Sequence, residues 1–203
     1  MSDAAVKRMT PDEFLLWREG REGTWELVDG QPRSKFYNGL QMMAGGTRNH
    51  AQVAMNLGAA LRPRLRSCGC RPVGSDLAIR NVRGSIRQPD LSVYCGPGSG
   101  RDLAEDAPVA LFEVLSPTTR GTDLIRKSEE YRQLPSVRHV VFLEADSPRL
   151  TLSTRTDDGW DIQEVVGLDA DLALSLLGVR VPMAEIYEDV DFAPLYDPDF
   201  PIG

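Results

Sequence analysis

Apolar positions along this chain repeat with two different periods, and the changes between them mark out the elements. Thr10-Pro11-Asp12-Glu13 combines a capping hydroxyl, a proline in the first turn and a glutamate three residues after the cap. That combination predicts a helix start, and FLLWREG carries the helix to about Glu19. TWELVDG, residues 24–30, alternates and ends in Asp-Gly, as a strand entering a tight turn does, with FYNGLQMM as its return strand. From about Arg48 to Leu65 the period becomes helical: His50, Val53, Leu57 and Leu61 share one face, and Pro63 ends or kinks the helix. Strands are predicted at Asp76–Arg80, Leu91–Cys95, Val109–Leu115 and His139–Glu144, with a helix from Asp123 to Leu134 between the last two, stopped by Pro135. RLTLSTRTDDGWDIQEVV places two alternating segments around Asp-Asp-Gly, the pattern of a hairpin. MAEIYEDV closes as a short helix. This order predicts a mixed α/β (α+β) fold with a central mixed sheet flanked by helices and a C-terminal β-hairpin.

Within this pattern four charged residues stand where apolar ones belong. In VALFEVLSP, Glu113 interrupts a run that reads as a strand buried on both faces. A carboxylate buried there without a partner costs several kcal/mol or goes neutral. Asp90, in QPDLSVYC, stands at the mouth of its strand beside Pro89, where a turn aspartate is also at home. Lys127 shares the inward stripe of its helix with Leu124, Tyr131 and Leu134. A lysine there calls for a carboxylate, although an i,i+4 pair with Asp123 or an outward-reaching head also suits it. Glu26 is an acid within WELVDG, explained equally by a half-exposed strand.

Taken together, carboxylates converging at one sheet edge need a cation to remain ionised. Oxygen ligands without a His/Cys set favour Mg²⁺ or Mn²⁺. Carboxylates, a divalent ion and a lysine suit phosphodiester hydrolysis.

Composition narrows the setting. At 203 residues with 41% hydrophobic and 26% charged positions, the chain is of ordinary globular make-up and reads as one domain. It contains no apolar run long enough for a membrane helix, and MSDAAVKRMTPDEF lacks the apolar core of a signal peptide, so the expected location is the cytoplasm. Cys68 and Cys70 form a lone C-G-C and Cys95 stands apart. That set does not make a zinc site; an odd number suits a reducing compartment, with Cys95 packed as a small hydrophobe.

The net charge of −7 is unevenly spread. Between Arg48 and Arg87 there are eight arginines and one acid, Asp76, whereas Glu185 to Gly203 has six acids and no base. One reading gives a face for phosphates, with His50, Arg62 and Arg66 as the candidates to meet them. The other gives arginines solvating a helix and a loop, with His50 a satisfied core or cap residue.

The sequential order of WELVDG, the helix with His50, QPDLSVYCG, FEVLSPTTR, the spacing Asp123/Lys127/Tyr131 and HVVFLEAD resembles the Uma-type family of restriction-endonuclease-like proteins, within the PD-(D/E)xK nuclease superfamily. The resemblance covers roughly residues 9 to 190 and leaves 191–203 as an acidic, proline-rich tail. It implies a restriction-endonuclease-like fold binding one or two Mg²⁺ ions. Pro89-Asp90 is similar to the PD element, Glu113 to the acid of (D/E)xK with the Val114 carbonyl as a further ligand, and Glu26 to an acid that completes the site. Asp76 ranks behind Glu26. Leu115 stands where the motif has lysine; the family pattern supplies the lysine from the next helix, and Lys127 matches it. The implied activity is metal-dependent endonucleolytic cleavage of DNA by a homodimer, with no organic cofactor and no membrane. In this reading Lys127 orients or deprotonates the attacking water; Tyr131 either steadies Lys127 or is a core tyrosine. The alternatives are an inactive nucleic-acid-binding or interaction module on the same fold, and a scaffold whose acids stabilise a dimer.

Overall fold

The structure is a computed structural model describing residues 8–35, 47–115 and 122–192. Helix α1, Pro11–Arg18, starts with the full capping box: the Glu13 amide donates to the Thr10 hydroxyl and the Thr10 amide to the Glu13 carboxylate. Strand β1, Trp25–Val28, turns through Asp29 and Gly30 into β2, Gln31–Ser34. Both turn residues have positive φ, 53° and 74°, and a Cβ on Gly30 would stand 2.7 Å from the Arg8 Cβ, so only glycine fits there. The return strand therefore follows the turn at once, and the expected FYNGLQMM strand lies outside the described residues.

Helix α2, Arg48–Arg64, buries Val53, Leu57 and Leu61 as the period predicts, and ends one residue after Pro63. Five strands follow: β3 Cys70–Gly74, β4 Ala78–Arg80, β5 Ile86–Arg87, β6 Leu91–Cys95 and the short β7 Ala104–Glu105. Next come β8 Ala110–Leu115, α3 Thr122–Arg132 and β9 His139–Glu144, and then the predicted hairpin, β10 Arg149–Thr156 with β11 Gly159–Val166. The described chain closes with a second hairpin, β12 Asp171–Leu174 with β13 Val179–Pro182, and α4 Met183–Ile186.

The larger sheet has the order β11-β10-β9-β8-β6-β3 and is mixed, β8 and β9 being parallel and the other pairs antiparallel. Alternation divides its side chains between two cores. Leu91, Val93, Ala110, Phe112, Val114, Val141 and Leu143 pack on the α2 side, joined by the β12–β13 hairpin and α4. Tyr94, Leu111, Val140 and Phe142 pack on the other side with Tyr131 and Leu134. A smaller sheet, β2-β1-β5-β4-β7, buries Leu27, Ala78 and Ile86 under Phe14 and Leu15 of α1. The mixed α+β layout with helices on the sheet faces is as expected.

The cysteine expectation needs correction. The β3–β6 register sets Cys70 directly opposite Cys95, and the two form a disulfide, leaving Cys68 as the free thiol. Parity of the count could not reveal this, because β3 was not foreseen as a strand.

His139 is buried at the start of β9, where its Nε2 accepts from the Leu176 amide at 3.2 Å and its Nδ1 meets the Thr154 hydroxyl. Protonating Nε2 would abolish the first bond. Burial, with Arg138 nearby, pushes this imidazole from 6.5 down to about 4. As pH falls below about 6.5 the unfolded chain takes up a proton that the folded chain refuses until about pH 4, so stability falls across that window. Urea unfolding should show wild type losing about 1–2 kcal/mol more than His139→Gln between pH 7 and pH 5; equal losses would contradict this.

Candidate active site

The β6–β8 register pairs Leu91 with Phe112, so one step further places Asp90 across from Glu113. Like charges directly opposite on neighbouring strands repel, yet both residues are buried, at 7% and 4% exposure. The conflict is resolved by two lysines brought in from other parts of the chain, Lys35 and Lys127.

Lys35, the residue after β2, places its ammonium between the two acids. It donates to Asp90 Oδ1 at 2.7 Å and to the Gln88 carbonyl at 2.6 Å, and stands 3.3 Å from Glu113 Oε2. Lys127 comes in from α3, 3.1 Å from Glu113 Oε1 and 3.3 Å from Glu26 Oε1. The Tyr131 hydroxyl donates to that same Glu113 oxygen at 2.5 Å. His50, in the first turn of α2, lies 3.2 Å from Asp90 Oδ2, which also accepts from the Val114 amide at 2.7 Å. In an extended strand a residue's N–H and C=O leave by the same edge, so the Val114 carbonyl faces the Asp90 side as well.

Beyond this cluster the charges continue to alternate. Arg87, 1% exposed, donates to Glu26 Oε2 at 2.8 Å and to Glu130 at 2.7 Å. Arg126 joins Glu130 to Asp29 at the β1–β2 turn, at 2.8 and 2.7 Å. Glu26 completes its set by accepting from the Gln88 amide at 3.1 Å.

Burial alone would raise the Glu26 carboxyl, but Lys127, Arg87 and Lys35 together hold it down at about 2. Asp90 is likewise held far below the usual carboxylate range: burial opposes ionisation, and Lys35 and His50 outweigh it. For Lys35 burial lowers the ammonium, and Glu113 and Asp90 more than restore it, so it is raised. Burial, with Glu113 and Glu26 beside it, raises the Tyr131 phenol well above its ordinary value. Near neutral pH Glu26 and Asp90 are thus carboxylates, Lys35 is an ammonium and Tyr131 a neutral donor.

Asp90, Glu113, Lys127 and Glu26 lie in one cluster, and His50, expected as a phosphate contact or a core or cap residue, joins it at Asp90. Glu26, however, spends its oxygens on Arg87, Gln88 and Lys127. Among the described residues no three His, Cys, Asp or Glu side chains are grouped as a metal site. Asp90 Oδ1 and Glu113 Oε2 face a common cation, Lys35, while Glu113 Oε1 and Glu26 Oε1 share Lys127. Two carboxylates and peptide carbonyls are the hard donors that Mg²⁺ or Mn²⁺ takes. The residues therefore fit such an ion, provided that the ammonium leaves.

Other candidates lie elsewhere. Arg62 and Arg66 are exposed, and Arg62 lies about 18 Å along α2 from His50 at 1.5 Å per residue. Arg87, counted with the arginine-rich stretch, is internal. Asp76 lines a separate cavity of about 500 Å³, with Arg18, Arg71 and Tyr94 among its walls. Sequence reasoning missed Lys35, Arg87 and Glu130. The available signal was lysine scarcity: the chain has twenty arginines and three lysines, Lys7, Lys35 and Lys127, and the side chains of the last two are enclosed here.

The fold is restriction-endonuclease-like. The chain belongs to the Uma2 family, described as "Putative restriction endonuclease", whose profile matches residues 11–184. It is 28% identical over 192 residues to the uncharacterized protein slr1290 of Synechocystis sp., covering 93% of this chain and 96% of that one. A second uncharacterized Synechocystis protein, sll1609, is 23% identical over 181 residues, covering 87% and 98%. In fold the chain is similar to a crystal structure from Anabaena variabilis described as "a putative nuclease belonging to DUF820", with TM-score 0.65, 14% identity, and coverage of 88% of this chain and 97% of that one.

Arg87 pairs with both Glu26 and Glu130, so Arg87→Met removes a cation from each of two buried acids. A loss of about 3–5 kcal/mol in urea unfolding is expected. A loss below about 1 kcal/mol would show that the buried chain of charges does not hold these elements together.

Proposed function

We propose that this protein is a metal-dependent endonuclease that hydrolyses DNA phosphodiester bonds at the Asp90/Glu113 cluster. The observation that carries the reading is the facing pair of carboxylate oxygens, Asp90 Oδ1 and Glu113 Oε2, both held ready around a single cation. Family membership and fold support the same class of activity. Asp90, Glu113 and the Val114 carbonyl would hold Mg²⁺, with Mn²⁺ as a substitute. Such an ion supplies charge stabilisation at the phosphate and a more acidic bound water.

The roles of the chain's own residues follow from their contacts. His50 and the Val114 amide occupy Asp90 Oδ2 and so turn Oδ1 toward the seat. Tyr131 and Lys127 do the same for Glu113 by occupying Oε1. Lys127 also presents a cation beside that seat, where it orients the attacking water and offsets charge developing on the phosphate. Glu26 and Arg87 anchor Lys127 from behind and are positioning residues. DNA is the substrate in this reading, and a homodimer brings two such sites to two strands.

One observation favours a second reading. Every oxygen of Asp90 and Glu113 already has a partner within the protein, as it would in an inactive binding module whose acids serve only the fold.

Nicking of supercoiled plasmid separates the two. Wild type should nick with Mg²⁺ or Mn²⁺ and not with EDTA. Asp90→Asn and Glu113→Gln should lose at least about 100-fold and Lys127→Met about 100- to 10,000-fold, with folding retained by circular dichroism. Undiminished nicking by Glu113→Gln would place the activity elsewhere.

A further inference from the structure

Lys35 has no part in the cleavage chemistry described above, yet it sits where the metal would bind. Its ammonium donates to the Gln88 carbonyl at 2.6 Å and to Asp90 Oδ1 at 2.7 Å, and it pairs with Glu113 Oε2 at 3.3 Å. The other oxygens of the two acids are committed to Val114, His50, Lys127 and Tyr131. The pair that Lys35 holds is therefore the pair that a divalent ion must use.

We propose that Lys35 is a resident counter-ion of this seat, which a divalent metal ion must displace in order to bind. This rests on the metal-dependent reading above and adds to it a built-in competitor.

The two cations cannot share the seat. Both would lie within bonding distance of the same two oxygens, where like charges repel strongly. A divalent ion also draws its ligands in to about 2.0–2.1 Å, closer than an ammonium allows. Exchange requires little of the backbone. The Lys35 amide donates to the Thr24 carbonyl at 2.9 Å and fixes the main chain beside β1, while a flexible four-carbon stem carries the head away. A lysine suits this role better than an arginine, whose planar fork would clamp a carboxylate bidentately, and the chain places one of its three lysines here although arginine supplies most of its cations. The arrangement keeps Asp90 and Glu113 facing each other before metal arrives, and it lowers the apparent metal affinity by the stability of the ammonium contacts.

Calorimetric titration of the full chain with Mn²⁺ alone tests this. Lys35→Met and Lys35→Gln should bind Mn²⁺ at least tenfold more tightly than wild type, and Asp90→Asn should lose binding. If wild type binds and the Lys35 variants bind no more tightly, the counter-ion role is wrong while the metal site stands. If neither wild type nor the Lys35 variants bind, the metal-dependent reading fails and this proposal with it. Should the variants not fold, acylation of the wild-type lysines followed by mass spectrometry decides: Lys35 should become at least severalfold more reactive at saturating Mn²⁺. Unchanged protection of Lys35 would overturn the proposal.

Discussion

Two carboxylates set directly opposite each other on adjacent strands, both buried, are the constraint from which the rest of the arrangement follows. Asp90 and Glu113 cannot remain charged in that position without compensation, and neither can be turned to solvent without breaking β6 or β8. Lys35, Lys127, Arg87 and Arg126 compensate them and their neighbours in one alternating series that runs from His50 to the β1–β2 turn. The series joins β1, β2, α2, β5, β6, β8 and α3. A buried ion pair is weak evidence of net stability, but removing one member is costly. The series therefore constrains how the two sheets and α3 meet more than it deepens the fold's stability.

In the proposed function, that same constraint prepares the cluster for chemistry. A fold that must hold two acids together keeps a cation seat between them at all times. Backbone and side-chain donors fix one oxygen of each acid and leave the other toward the seat. The hydrophobic halves of the domain make this rigid: Phe112 and Val114 pack on the α2 side of β8 while Tyr131 reaches Glu113 from the α3 side. Leu115 stands two positions after Glu113, and the ammonium beside Glu113 is that of Lys127, one helix later, at 3.1 Å.

Legibility in the sequence followed the strength of local signals. Glu113 was visible because a charge interrupts an apolar strand, Lys127 because it falls on an inward helical stripe, and β6 and β9 because alternation and turns bound them cleanly. Arg87 was hidden by its arginine-rich neighbourhood, since nothing local distinguishes a buried arginine from solvated ones when its strand is two residues long. Lys35 was hidden because Gln-Pro-Arg-Ser has no strand pattern, and only pairing with β1 makes it a strand. The disulfide depended on a register that pairing with β6 alone defines. Long-range pairing, in each case, supplied what local periodicity could not.

The central claim is that Asp90 and Glu113 bound a cation seat that Lys35 fills and a metal ion takes over. Anomalous diffraction from crystals soaked in Mn²⁺ addresses it most directly. The account predicts one strong peak within about 2.5 Å of an oxygen from each acid, with the Lys35 head group moved off the seat. A map with Lys35 still bridging the two acids and no peak beside them, at Mn²⁺ concentrations that saturate binding in solution, would contradict it.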